Sequence, residues 1–218
     1  MKTISLPISM DNTELFENFQ REYNIALRFS FNRFIDGFSE KQVRESTSPL
    51  NIQKLTPFMV LWAVQEAKAL YQKNKGKQIL FGGKKLFKDR ALNKITNDEY
   101  KQQRMSPFKI EGEILRHGNR HFRFVDGKLV FMMERKPIFT VTLPEKLHKN
   151  YAQILKEIEE ITSGKENTIT LTVSLTKDKI YLTFEESLIP YYIKKYPSYE
   201  PIQGRILGID SNPNKIGI

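Results

Sequence analysis

The chain opens with the periodicity of a strand and then changes to that of a helix. Residues 2–9 alternate apolar and polar side chains, and Pro7 indicates an edge strand or a bulge. Asp11 or Asn12 can cap the next segment, in which apolar residues recur every three or four positions as far as Phe34. This pattern predicts a first strand and then a long helix with one face in the core.

Two more helices are indicated by their first residues. Thr56 and Pro57 suit an N-cap and a first helical position, and Phe58, Leu61, Trp62 and Leu70 would form the apolar face that follows. Residues 96–99 resemble a capping box that opens a short helix through Arg104. The intervening residues 73–90 are predicted to be a basic, glycine-bearing connector.

From Phe122 onward the apolar pattern has the period of strands. Asp126 and Gly127 lie between two such runs and predict a tight hairpin. The later elements are predicted as a strand at 138–143, a helix at 144–161, and a hairpin of strands at 168–175 and 179–184.

This order of elements predicts an α+β protein in which a β-barrel-like domain is interrupted by an inserted helical domain. The predicted divisions are 1–10 for the first barrel strand, 11–115 for the helical domain, 116–200 for the rest of the barrel, and 201–218 for the start of another domain. Such a fold requires the first strand to pair with strands beyond residue 120.

Composition narrows the class of protein. The 218 residues are 39% hydrophobic, which is enough for a packed core. No apolar stretch approaches the ~18 residues of a membrane span, and the N-terminus lacks the apolar core of a signal peptide, so we expect a cytoplasmic protein. The absence of cysteine excludes disulfides and cysteine-ligated zinc from these residues.

The net charge of +10 is concentrated in one segment. Residues 68–104 contain eleven Lys or Arg against Asp89, Asp98 and Glu99, a local net charge of +8. Such a block attracts polyanions because their condensed counterions are released on binding. Nucleic acid is therefore the favoured partner, and a solvated lysine-rich surface is the alternative.

Candidate contacts to phosphates fall into three groups. They are Lys84, Lys85, Lys88, Arg90 and Arg104 in the basic segment, Arg116, Arg120 and Arg123 near the strand region, and Lys194 and Lys195 among the C-terminal tyrosines. Phe81 and Phe87 could stack on bases, although core packing is the favoured interpretation. For His117 and His121 we expect hydrogen bonding or contact with phosphate rather than a zinc site.

An apolar run near the C-terminus leads into Asp210. Such a pattern predicts a buried strand that presents this carboxylate at its end, where it could bind Mg²⁺ in two-metal chemistry. An aspartate in this position is also a common turn former or helix cap.

Two stretches resemble TnpB-like, transposon-encoded RNA-guided nucleases, which are relatives of the type V CRISPR effectors. The first resembles their first RuvC motif: Leu207-Gly-Ile-Asp210, then Asn212-Pro-Asn214 and Ile216-Gly-Ile218. The second resembles their connector between helical and barrel domains: Phe81-Gly-Gly-Lys-Lys-Leu-Phe87, Ser106-Pro-Phe108 and Gly118-Asn-Arg120. Together these stretches extend the resemblance over nearly the whole chain.

The resemblance implies a wedge-like β-barrel interrupted by a helical recognition domain and followed by an RNase H-like RuvC nuclease. It implies guide RNA and target DNA as partners, with base pairing to the guide reading most of the target sequence. It also implies that Asp210 is a catalytic ligand of Mg²⁺.

This sequence departs from the family pattern in two respects. Asn212 and Pro213 follow Asp210 where many relatives have a glycine two residues after the aspartate, and the second and third RuvC motifs do not appear. We therefore expect a truncated nuclease domain and no cleavage by these residues alone. A non-cleaving RNA-guided DNA-binding protein such as a repressor, or a basic RNA-binding domain, is the alternative. The sequence does not predict an oligomeric state.

Overall fold

The computed structural model describes residues 1–47, 50, 52–163 and 169–195. The helices in this part are α1 (Thr13–Ile35), α2 (Glu40–Ser46), α3 (Pro57–Lys73), α4 (Gly83–Ala91), α5 (Asn97–Gln103), α6 (Lys149–Ser163) and α7 (Pro190–Lys195). Short 3-10 turns lie at Ile114–Arg116 and Glu186–Leu188. No helix within these ranges is both long and apolar enough to cross a membrane.

The strands form two four-stranded antiparallel sheets and one short pair. They are β1 (Lys2–Pro7), β2 (Ser9–Met10), β3 (Phe108–Ile110), β4 (Gly112–Glu113), β5 (Gly118–Asn119), β6 (Phe122–Val125), β7 (Lys128–Met133), β8 (Lys136–Thr142), β9 (Thr172–Leu175) and β10 (Lys179–Phe184). The first sheet has the order β1-β10-β9-β3, the second has β2-β8-β7-β6, and β4 pairs with β5. The predicted α+β class is thus confirmed, while the sheets in the described residues are open and the barrel stays a prediction.

The N-terminal segment contributes a strand to both four-stranded sheets. In β1, Lys2 lies opposite Phe184 of β10, and in β2, Ser9 lies opposite Thr142 of β8. Only Ile8 separates the two strands. The predicted pairing with strands beyond residue 120 is confirmed, and β1 lies at a sheet edge as Pro7 indicates.

Helix α1 forms the main core with both sheets. Asn12 caps it, because its side chain accepts a hydrogen bond from the amide of Leu15 at 3.0 Å. The ring of Phe16 lies 6.0 Å from that of Phe139 in the second sheet and 6.4 Å from that of Phe108 in the first. Edge-to-face aromatic packing of this kind fixes the helix across the two sheets.

The structure differs from the sequence prediction in one additional helix, in the apolar face of α3 and in the position at which strands resume. Most of helix α4 lies within the connector predicted at 73–90, and no residue of this helix is buried. In α3 the predicted apolar residue Phe58 is 44% exposed and Met59 is buried instead. Strands resume at Phe108, before residue 116, because the three-residue β3 is stabilised by pairing with β9.

Asn119 connects the two four-stranded sheets. Its buried amide nitrogen donates to the carbonyls of Ile110 and Leu171 at 3.2 and 2.8 Å. Its side-chain oxygen accepts from the amides of His121 and Phe122 at 2.9 and 3.0 Å. The residue therefore satisfies backbone groups from β3, from β6, and from the segment that leads into β9.

We expect Asn119→Ala to lower the free energy of unfolding by about 3 kcal/mol, because several buried backbone groups lose their partners. Urea denaturation followed by the fluorescence of Trp62 measures this change. Asn32→Ala is the control, since Asn32 lies exposed on α1. Equal stability of the two variants would contradict the structural role of Asn119.

Candidate nucleic-acid interface

Helix α4 carries an exposed basic surface, the α4 lysine face, formed by Lys84, Lys85 and Lys88. Lys84 and Lys88 are four residues apart and share one side of the helix, with Lys85 beside them. None of the three forms an ion pair with a carboxylate in the described part of the chain. Their charges are therefore available to an external anion.

The two phenylalanines of this segment have different environments. Phe81 packs edge-to-face on Phe31 of α1, with ring centroids 5.7 Å apart, so its predicted core role is confirmed. The prediction of core packing is wrong for Phe87, which is 46% exposed on α4. An exposed ring among lysines can stack on an unpaired base. The sequence gives no signal for this difference, because both residues stand in the same basic run.

Helix α4 is positioned by a hydrogen bond to α5 and by the glycine that precedes it. Arg90 donates from Nε to Asn97 of α5 at 2.8 Å, and the predicted capping box of Thr96 and Glu99 at the start of α5 is confirmed. The hydrogen bonds from Thr96 lower the pKa of Glu99. Gly82 has a φ of +86°, and a Cβ there would lie 2.8 Å from Cβ of Arg104. A glycine is thus required where the chain turns into α4.

Arg120 is largely occupied within the structure. Its Nε and Nη2 donate to the carboxylate of Glu113 at 3.0 to 3.2 Å. Its guanidinium carbon lies 3.7 Å from the ring centroid of Phe58. A contact to phosphate would compete with both interactions.

Arg123 and Arg116 differ in how far their side chains are occupied by partners within the structure. Arg123 donates to the backbone carbonyls of Asn119 and Phe122, and burial lowers its pKa. Arg116 is 58% exposed, and the ion pair that it forms with Glu113 in the described residues is long at 3.9 Å. Of the three predicted arginines in this region, Arg116 has the side chain best placed to reach a phosphate.

His117 and His121 both form hydrogen bonds with backbone carbonyls. Nδ1 of His117 lies 3.1 Å from the carbonyl oxygen of Thr162, and Nδ1 of His121 lies 2.9 Å from that of Met132. These contacts agree with the hydrogen-bonding role that we expect. No group of three or more potential metal ligands occurs in the described residues, so no magnesium ligand set can be assigned there.

The C-terminal candidates lie beyond what the structure describes. Asp210 falls within residues 196–218, and the side chains of Lys194 and Lys195 are also outside the described part. Tyr192, which precedes them in α7, is buried with its ring centroid 6.3 Å from that of Phe184 in β10. This tyrosine therefore packs on the first sheet.

Comparison of the chain with protein-family models, with curated proteins and with solved structures gives no match. The charge and exposure of α4 therefore carry the functional argument. One further arginine, Arg28 of α1, approaches this region by donating to the backbone carbonyl of Arg104 at 3.3 Å. It lies outside residues 68–104, so the local count of charge could not find it.

We expect the protonation of His121 to reduce the stability of the fold. Burial lowers the pKa of His121, so the folded protein holds the neutral ring while the unfolded chain takes up a proton near pH 6.5. Stability is then complete above about pH 6.5 and falls as the pH decreases toward the lowered pKa. Denaturation of the wild type between pH 7.5 and pH 5 measures this decrease.

Trp62 gives a second measurement, because it is the only tryptophan and its ring lies 5.8 Å from that of His121. A protonated imidazole quenches indole fluorescence, so quenching should occur below the ordinary pKa of histidine. His121→Phe should remove the quenching and reduce the pH dependence of stability, whereas the exposed-residue control His148→Gln should keep both. Quenching centred at or above pH 6.5 would contradict the burial argument.

Proposed function

We propose that this chain is the nucleic-acid-binding recognition lobe of a TnpB-like RNA-guided DNA endonuclease, with guide RNA and target DNA as its partners. The observation that carries the proposal is the α4 lysine face with exposed Phe87 beside it. The proposed architecture is the wedge-like barrel with an inserted helical recognition domain. The N-terminal segment shared by both sheets, and helices α1–α5 between β2 and β3, support it.

The α4 lysine face suits a phosphate backbone for an electrostatic reason. Lysines without carboxylate partners displace condensed counterions from a nucleic acid, and this release drives binding. Phe87 adds a surface on which a base of either RNA or DNA can stack, worth about 1–3 kcal/mol per base. This combination favours binding that depends on charge and shape rather than on base sequence. It suits a protein in which a guide RNA reads the target.

The catalytic part of the proposal concerns Asp210 alone. In a complete RuvC site this carboxylate would hold Mg²⁺ together with the glutamate and the second aspartate of the later motifs. A two-metal centre stabilises the attacking and leaving oxygens of the phosphodiester, and a single carboxylate cannot position both ions. The proposed place of action is the cytoplasm, where the DNA of a bacterial host lies.

We expect the triple variant Lys84→Gln, Lys85→Gln, Lys88→Gln to weaken RNA binding by about tenfold or more, because three phosphate contacts are lost. The slope of log Kd against log salt concentration should fall by about 2. Titration of a labelled RNA over a series of salt concentrations measures both quantities. The RNA is the species that co-purifies with the protein from its native host.

Lys128→Gln, Lys136→Gln, Lys146→Gln is the matched control, with the same change of charge at exposed positions outside α4. Equal losses in the two triple variants would mean that net charge alone drives binding, and would overturn the assigned interface. The wild type should also prefer the co-purified RNA to an arbitrary RNA of equal length. Without that preference, a basic RNA-binding domain becomes the better description.

We expect the 218-residue chain to leave target DNA intact in the presence of Mg²⁺, because the resemblance assigns it only one metal-binding carboxylate. Gel analysis of a DNA target incubated with protein, guide RNA and Mg²⁺ tests this. Asp210→Ala should behave as the wild type does. Cleavage by the wild type that Asp210→Ala abolishes would show that other carboxylates complete the site.

A further inference from the structure

Guanidinium groups gather around one buried aromatic ring at the junction of α1, α4 and α5. The guanidinium carbons of Arg90 and Arg104 lie 4.8 and 5.2 Å from the ring centroid of Tyr100. Arg28 of α1 donates from Nη2 to the backbone carbonyl of Arg104 at 3.3 Å, which places a third guanidinium beside the same turn.

The position of Arg28 is fixed by packing on both sides. One helical turn earlier, the buried Asn24 donates to the carbonyl of Ser106 at 3.0 Å and accepts from the amide of Ser106 at 2.8 Å. The guanidinium carbon of Arg28 itself lies 5.5 Å from the ring centroid of Phe81. Helix α1 is therefore tied to the residues that follow α5, and the arginines have a defined arrangement.

This cluster has excess positive charge. No carboxylate in the described part of the chain forms an ion pair with Arg28, Arg90 or Arg104. The Nε atoms of Arg28 and Arg104 are buried and have no hydrogen-bond partner among the described residues. Burial and then the charge of Arg104 lower the pKa of Arg28 to about 10. An anion bound beside Arg28 and Arg104 would relieve the repulsion between these two residues and accept hydrogen bonds from their free N–H groups.

We propose that Arg28, Arg90 and Arg104 form a phosphate-binding site whose ligand is a backbone phosphate of the bound nucleic acid. The identity of the ligand rests on the proposed function of the chain. Guanidinium forks match the oxygens of a phosphate in a bidentate manner, and several forks can hold one group from different sides. The α4 lysine face continues the positive surface along the chain, which favours a polyanionic strand over an isolated anion.

The site makes Arg28 a nucleic-acid contact that belongs to α1, a core helix, rather than to α4 or α5. A nucleic-acid strand bound at this site is anchored to α1, while the lysines of α4 bind its neighbouring phosphates. The alternative is a purely structural cluster, in which the arginines only pack on Tyr100 and Phe81. A phosphate site predicts weaker RNA binding without loss of stability when an arginine is removed. A structural cluster predicts lower stability and unchanged RNA binding.

The test compares Arg28→Gln and Arg104→Gln with the control Arg21→Gln, which removes the same charge from an exposed position of α1. If the site binds phosphate, each of the first two variants should weaken the binding of the co-purified RNA by about tenfold. Their melting temperatures should equal or exceed that of the wild type, because each removes one of the like charges. Arg28→Lys should give an intermediate affinity, since it keeps the charge and loses the paired N–H donors of the planar guanidinium.

Inorganic pyrophosphate is a second probe that does not depend on RNA. It should raise the melting temperature of the wild type and of Arg21→Gln more than sodium chloride of equal ionic strength does, and should have no such effect on Arg28→Gln or Arg104→Gln. Variants that melt lower, bind RNA like Arg21→Gln and still respond to pyrophosphate would overturn the site. A response to pyrophosphate that needs Arg28 and Arg104, in a protein that does not bind RNA, would support the phosphate site and overturn the proposed function.

Discussion

The two sheets of this protein depend on the buried amide of Asn119. Polar groups at the ends of β3 and β6, and in the segment that leads into β9, would be buried without partners where the sheets approach each other, and this one side chain satisfies them. The close approach of the chain at Gly112 to Leu171 also requires a glycine, since a Cβ on Gly112 would lie 2.5 Å from the amide nitrogen of Leu171. Asn119, the central residue of the Gly118-Asn-Arg120 motif, therefore has a structural role that is independent of nucleic-acid binding.

The core beside this junction supports the surface that we assign to nucleic acid. Helix α1 packs its aromatic face on both sheets and uses Asn24 on another side to hold Ser106. The chain that follows α4 and α5 is therefore bound to a core helix, although α4 itself contributes no buried residue. A basic helix whose side chains are not needed for the core can keep its charges and one aromatic ring in solvent. Such a division suits an interface that must bind an extended polyanion.

The arginines of this protein have different roles in the fold. Arg120 donates hydrogen bonds to Glu113 and Arg123 donates to backbone carbonyls, so both residues stabilise the strand region. Arg28 and Arg104 retain buried donors without partners, and their charges repel each other. A count of charge along the chain gives all four the same weight. Only the distribution of their partners separates structural arginines from candidate ligands of phosphate.

The sequence alone determined the elements whose signals are local. The caps at Asn12, Thr56 and Thr96 and the hairpin at Asp126-Gly127 were predictable, because their hydrogen bonds or turn angles involve neighbouring residues. Tertiary structure decided the three-residue β3, the exposure of Phe87, and the approach of Arg28 to Arg104. Strand β3 and Arg28 depend on partners far away along the chain, and Phe87 is exposed because no distant part of the described chain covers it. Side-chain periodicity within a segment carries no information about such contacts.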